Sequence, residues 1–221
     1  MLGACGGHAH EAHDASSRLH DGGARIDRPD AVPMTESDVG AMDEYAVAKT
    51  VKGLRGDLAN CIDLAGQRKS YLGGDIALVI HVGKGGRVLD VLPASSTIGD
   101  RAAERCVMTV FAKAAWPAPV GGKVGEVRQE FGFPPRGRDA IAVDARQLGD
   151  QANTARALLA QCGSGDLAVT VYLDPDGHPV GAGAATREPA MLPHLDCAAG
   201  ALMELRFPSP GSWNGKVTLK R

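Results

Sequence analysis

The chain has 221 residues, enough for one large domain or two small ones, and 44% of them are hydrophobic, as in an ordinary globular protein. Twenty-four Lys and Arg against 26 Asp and Glu leave a formal charge of -2, without the basic excess by which a nucleic-acid binder neutralises phosphates. No apolar run reaches the roughly 18 residues of a membrane-spanning helix, and with only 4% aromatic residues any core is thin and built from small aliphatic side chains.

At the N-terminus, Leu2-Gly3-Ala4-Cys5-Gly6-Gly7 resembles the lipobox at which bacterial lipoprotein precursors are cut and lipidated on the cysteine. That resemblance implies export and a lipid anchor at Cys5. The charged and apolar segments of an export signal do not precede the motif in this sequence, so lipidation is expected of a longer precursor. Residues 6 to about 40 are rich in Gly, Ala, Asp, His and Ser without hydrophobic period, and read as a disordered tether with a reach of roughly 30–35 Å. His8, His10, His13 and His20 lie in it. Neutral imidazoles can gather a transition metal, but nothing in the sequence fixes their geometry, and a solvated polar linker is the simpler account of them.

Val47, Val51, Leu54, Leu58 and Cys61 recur at helical spacing and predict an amphipathic helix. Ile76, Leu78, Ile80 and Val82 alternate, as a strand with one buried face does, and His81 falls on the opposite, half-exposed face. Gly83-Lys84-Gly85-Gly86 then predicts a hairpin into a second strand. A second helix starts after Asp100, a good N-cap, and Trp116-Pro117 ends it. Val127, Gln129, Phe131 and Phe133 alternate as a last strand.

The same series then repeats. Gly74 to Ile80 superposes without a gap on Gly165 to Val171, an offset of 91, and the register carries Gly86 onto Gly177, Cys106 onto Cys197, Trp116 onto Phe207 and Pro117 onto Pro208. Fixed-period self-similarity of this kind marks duplication. Upstream the offset becomes 101, Cys61 falling on Cys162, so the second copy has lost ten residues between helix and strand. Its helix is predicted from Ile141, Ala145, Leu148, Ala152, Ala155, Leu159 and Cys162, its turn from Asp174-Pro175-Asp176-Gly177, and its second helix from about Pro193. The expected fold is α+β: two tandem α-β-β-α-β modules, each a three-stranded sheet packed by two helices, over residues 41–136 and 137–221, with residues 1–40 as lipobox and tether.

Five cysteines divide as one pair per copy plus Cys5. Pairing Cys61 with Cys106 and Cys162 with Cys197 keeps each bond within a module and between its helices, where packed helices can bring Cα atoms to the roughly 5.5–6 Å a disulfide requires. The alternative is four ordinary buried thiols. A zinc site fits less well, since Cys-x-x-Cys spacing is absent and no His accompanies both pairs. Asp174-Pro175-Asp176-Gly177 lacks the further oxygen ligands of a calcium loop and reads as a turn. Neither a nucleophile elbow, a phosphate-binding loop nor a His-Glu-x-x-His appears, so no catalytic residue, cofactor or resident metal is expected.

Asn60-Cys61, the strand Ile76–Val82, Gly85-Gly86-Arg87-Val88, Ser95-Ser96-Thr97-Ile98-Gly99, Cys106 and Trp116-Pro117-Ala118-Pro119 together resemble the TonB C-terminal-like superfamily, and within it the AgmX/PglI C-terminal domain of myxobacterial gliding-associated proteins. The second copy keeps Cys162, Cys197 and Arg206-Phe207-Pro208 but has Ala184-Ala185-Thr186 for the Ser-Ser-Thr stretch. The resemblance implies a non-catalytic adaptor of the bacterial cell envelope, in the periplasm or at the outer membrane, whose sheet accepts a strand from another envelope protein. Open sheet edges make such addition physically reasonable, and would also let the two modules pair edge to edge. A metal-binding or enzymatic protein using the His-rich tail or a pocket between the modules is the alternative.

Overall fold

A computed structural model describes residues 37–221. Within them the fold is α+β, with four α-helices and two four-stranded sheets. Module 1 comprises β1 (Ser37–Gly40), α1 (Glu44–Arg68), β2 (Gly74–Gly83), β3 (Val88–Ser96), α2 (Arg101–Ala112) and β4 (Gly122–Phe133). Module 2 comprises β5 (Ile141–Ala142), a 3-10 turn, α3 (Asp150–Gln161), β6 (Ala168–Leu173), β7 (Pro179–Ala185), a second 3-10 turn, α4 (Leu195–Ala201) and β8 (Gly215–Lys220). No helix among the described residues is long and apolar enough to cross a membrane.

The sheet orders are β1-β4-β2-β3 and β5-β8-β6-β7, so the duplication extends to topology. Each sheet has one strand more than the three expected. β1 and β5 lie parallel to the last strand of their own module, Val39 against Val124 and Ile141 against Gly215. Both are too short to show a period of two, and β1 sits in what reads as tether. The second copy's helix also differs from expectation: the periodic run from Ile141 to Cys162 breaks into β5, a 3-10 turn capped by Asp144, and α3. The break falls at Gly149, whose φ of 55° a helix cannot continue through.

Side-chain alternation decides which face each sheet buries. Ile76, Leu78, Ile80 and Val82 are at most 1% exposed beneath α1 and α2, and Leu167, Val169, Val171 and Leu173 are fully buried beneath α3 and α4. Asp100 caps α2 as expected, its carboxylate accepting from the Ala103 N–H at 3.0 Å. The hairpin glycines retained in both copies have one cause. At Gly86 (φ 80°) and Gly177 (φ 83°), a Cβ would run into the carbonyl oxygen of Trp116 and of Phe207 respectively, so the aromatic-proline corner and the turn glycine come as a pair.

The modules do not join edge to edge. Their sheets stay separate, and one backbone bond runs from the end of β7 to the outer side of β3: the Thr186 N–H donates to the Pro93 carbonyl at 2.8 Å. The outer face of sheet 2, opposite its own helices, packs instead on β3, the Ser96–Gly99 loop and α2 of module 1. Tyr172, on that face, is wholly buried and belongs to the core of module 1, 5.3 Å from the ring of Tyr71.

Candidate docking edge and the joint that braces it

The cysteine pairs come together. Cys61 on α1 bonds Cys106 on α2 with Cα atoms 5.6 Å apart, and Cys162, which caps α3, bonds Cys197 on α4 at 5.7 Å. Cys5 and the tail histidines lie outside the described residues. Asp174, Asp176 and His178 place one possible ligand atom each within 4.8 Å of one another. One Asp174 oxygen is already taken by the N–H groups of Asp176 and His178, at 2.9 and 2.8 Å, and the Arg206 guanidinium abuts the His178 ring. That arrangement is a hydrogen-bonded turn with a cation beside it.

Among the described residues, sheet 1 has two open sides, the outer side of β3, which meets the Thr186 N–H of module 2 at Pro93, and the outer side of β4, which borders a groove. The inner side of β4 pairs with β2 along its length, from Val124 opposite Gly83 to Phe133 opposite Gly74. On its outer side β1 reaches only Gly122 to Gly125, after which the chain turns at Ala41 into α1. Glu126 to Phe133 therefore have no strand partner on that side among the described residues. In such a strand alternate residues direct N–H and C=O groups outward, ready to pair with an added strand.

Helix α1 overhangs this edge. Between them run two cavities of about 760 and 690 Å³ that share Val51, Arg55 and Gln129, forming one groove from Gly40 to Arg136. Its floor is apolar: Val47, Val51, Leu58 and Ile62 from α1, with Val127, Phe131 and Phe133 from β4. Phe131 packs on Phe111 at 5.5 Å yet stays half-exposed, as does Phe133. Charges stand along the rim, among them the ion pairs Arg128–Glu126 and Arg136–Asp63, both at 2.7 Å. The opposite face of the sheet carries His81, hydrogen-bonded to Asp90 at 2.6 Å.

Module 2 offers less. Its β5 covers Gly215 and Lys216, leaving only Val217 to Lys220, and there Val217 and Leu219 are buried beneath the module's own helices rather than half-open. What module 2 does have is a close fit to module 1. The Tyr172 hydroxyl donates to the Gly73 carbonyl at 2.7 Å and accepts from the Gly73 N–H at 3.1 Å, and burial raises its pKa to about 12. Lys216 Nζ donates to the same carbonyl at 3.1 Å, its pKa lowered by desolvation. The Thr170 hydroxyl donates to the Ser96 carbonyl at 3.0 Å. Arg101 and Arg105 of α2 clasp Asp196 of α4 at 2.7 and 3.2 Å, holding that carboxyl below its ordinary pKa. Burial pushes Asp100 up, but the Ala103 N–H and Lys69 outweigh it and leave the carboxyl low.

Two signals for this joint stand in the sequence. Tyr172 occupies the register position of half-exposed His81, and β7 reads Gly181-Ala182-Gly183-Ala184-Ala185, a run that lets another backbone approach closely. No protein-family model matches the chain, no curated protein matches it, and no solved structure matches it. The resemblance to TonB C-terminal-like domains rests on the motif residues that carry it.

Proposed function

We propose that this is a non-catalytic, exported protein of the bacterial cell envelope, tethered through a lipidated Cys5, whose first module binds another envelope protein by accepting an extended segment along β4. The observation that carries this reading is the eight-residue stretch Glu126–Phe133, without an outer strand partner among the described residues and bordering an apolar groove. Main-chain hydrogen bonds to the edge supply affinity, and alternate side chains of the incoming segment reach the groove floor at Phe131 and Phe133. The half-exposed phenylalanines gain burial only when the segment arrives, worth about 25 cal/mol per Å² of apolar surface covered.

On this reading the two copies have divided their labour. Module 2 has only a short open stretch on its last strand, β8, its β7 edge is turned toward module 1 at Ala184 and Thr186, and its outer face is spent on the joint, so it braces module 1 while leaving the β4 side clear. The inter-helix disulfides secure both modules in an oxidising compartment, which agrees with export.

Site-specific photocrosslinking in the native envelope tests the proposal. A photoreactive residue at Phe131 should capture one predominant protein, and one at Tyr45, exposed at the start of α1, should not. Equal, diffuse labelling from both positions would count against docking at β4.

A further inference from the structure

Glu104 is the only carboxylate with no exposed surface among the described residues, and it lies at the joint rather than at the docking edge. It projects from α2, accepts from the Ser96 hydroxyl at 2.6 Å within its own module, and accepts from the Ala184 N–H of β7 at 2.9 Å across the boundary. A side chain on Gly183 would collide with its carboxylate, so β7 is shaped to receive it. In the register of the repeat Glu104 corresponds to Leu195, itself wholly buried. The module fold thus accepts leucine at this position, and the acid answers to what the first copy's helix alone meets: the backbone of the other module.

We propose that Glu104 is a pH-responsive latch between the modules, held as the neutral acid when they are docked and loosening the joint when it ionises. The groups that face it are few. From α2, Arg101 Nη1 stands 3.6 Å away, while Asp100 is engaged by Lys69 and by the helix N-terminus. From β3 comes the Ser96 hydroxyl, from β7 the Ala184 N–H, and from α4 Asp196, already clasped by Arg101 and Arg105. The one compensating charge among them is Arg101, at 3.6 Å and shared with Asp196, and the proton of the neutral acid lies along the 2.6 Å line to Ser96 Oγ, which then accepts it.

Burial raises the carboxyl, and Ser96, Ala184 and Arg101 pull it only part of the way back, to about 7 from the ordinary 4.5. An acid whose docked pKa lies above its undocked value keeps its extra proton only while docked. Docking is therefore strongest below about pH 4.5, weakens as pH rises through 7, and changes no further above that. Across this window the docking equilibrium should fall by on the order of 100-fold. Loosening uncovers Thr170 and Tyr172, the face of sheet 2 that the joint hides.

The test uses the full chain with its disulfides intact. Carbon NMR of the Glu104 carboxyl should give a midpoint near 7, and a midpoint near 4.5 would overturn the proposal. Hydrogen exchange supplies a second readout: the Ala184 and Thr186 amides, corrected for intrinsic rates and referenced to Val171, should open on the order of 100-fold more often at about pH 8 than at about pH 5. In Glu104→Gln that pH dependence should vanish with the fold retained, and in Glu104→Leu, matching Leu195, it should also be absent. The same pH dependence persisting in both variants would refute the latch.

Discussion

Replacing Tyr172 with Phe removes one oxygen and leaves the ring, so it measures the joint with little change in packing. That oxygen is completely buried and satisfies both polar groups of Gly73. In the variant the Gly73 carbonyl keeps Lys216 at 3.1 Å, but its N–H has no remaining partner on that side. An orphaned buried donor costs about 1–3 kcal/mol, and the lost hydroxyl bond adds about 1, so the net loss should be about 2–4 kcal/mol. Urea unfolding read separately through Trp116 and Trp213 is the assay, because these report on modules 1 and 2. Wild type should give coincident transitions, the modules sharing Tyr172 as core. Tyr172→Phe should lower the midpoint, and if the joint falls first it should split the two signals. Already separate transitions in wild type, or a loss under about 0.5 kcal/mol, would refute the shared core.

Replacing Cys61 and Cys106 together with Ser should cost module 1 about 4 kcal/mol by the chain-entropy relation for a 45-residue separation, and the 35-residue pair of module 2 a similar amount, read as shifts in urea midpoint. Gly183→Ala should destabilise the joint by about 1–3 kcal/mol, because Glu104 fills the space a methyl needs. Gly53→Ala and Gly56→Ala, on α1 with open space around them, should each raise stability by about 0.5–1 kcal/mol in thermal melts. Asp100, with its carboxyl held low, contributes stability that is present above its unfolded value and lost as pH falls through the folded one. In acid, Asp100→Asn should therefore lose less stability than wild type.

The hydrophobic alternation of Ile76–Val82 and Leu167–Leu173 was sufficient to place the central strands, and the repeat was sufficient to pair the cysteines, because burial and duplication leave periodic marks. Short edge elements leave none. Ser37–Gly40 carries one apolar residue and Ile141-Ala142 two, so neither could be told from loop, and it is these strands that determine how much of each last strand stays open. The helical period ran through Gly149 because hydrophobic spacing is blind to a single positive φ. The joint is hard to read from sequence for another reason: Tyr172, Gly183 and Glu104 are informative only as a set, and they lie far apart in the chain.

The central claim is that β4 accepts a strand between Glu126 and Phe133. Backbone hydrogen exchange along β4, in the free protein and in the complex recovered by crosslinking, tests it most directly. In the free protein, alternate amides from Glu126 to Phe133 should exchange quickly while their neighbours, bonded to β2, stay protected. In the complex the fast set should become protected, with Val217–Lys220 unchanged. Protection already uniform in the free protein, or a complex that leaves the fast set exchanging, would contradict the account.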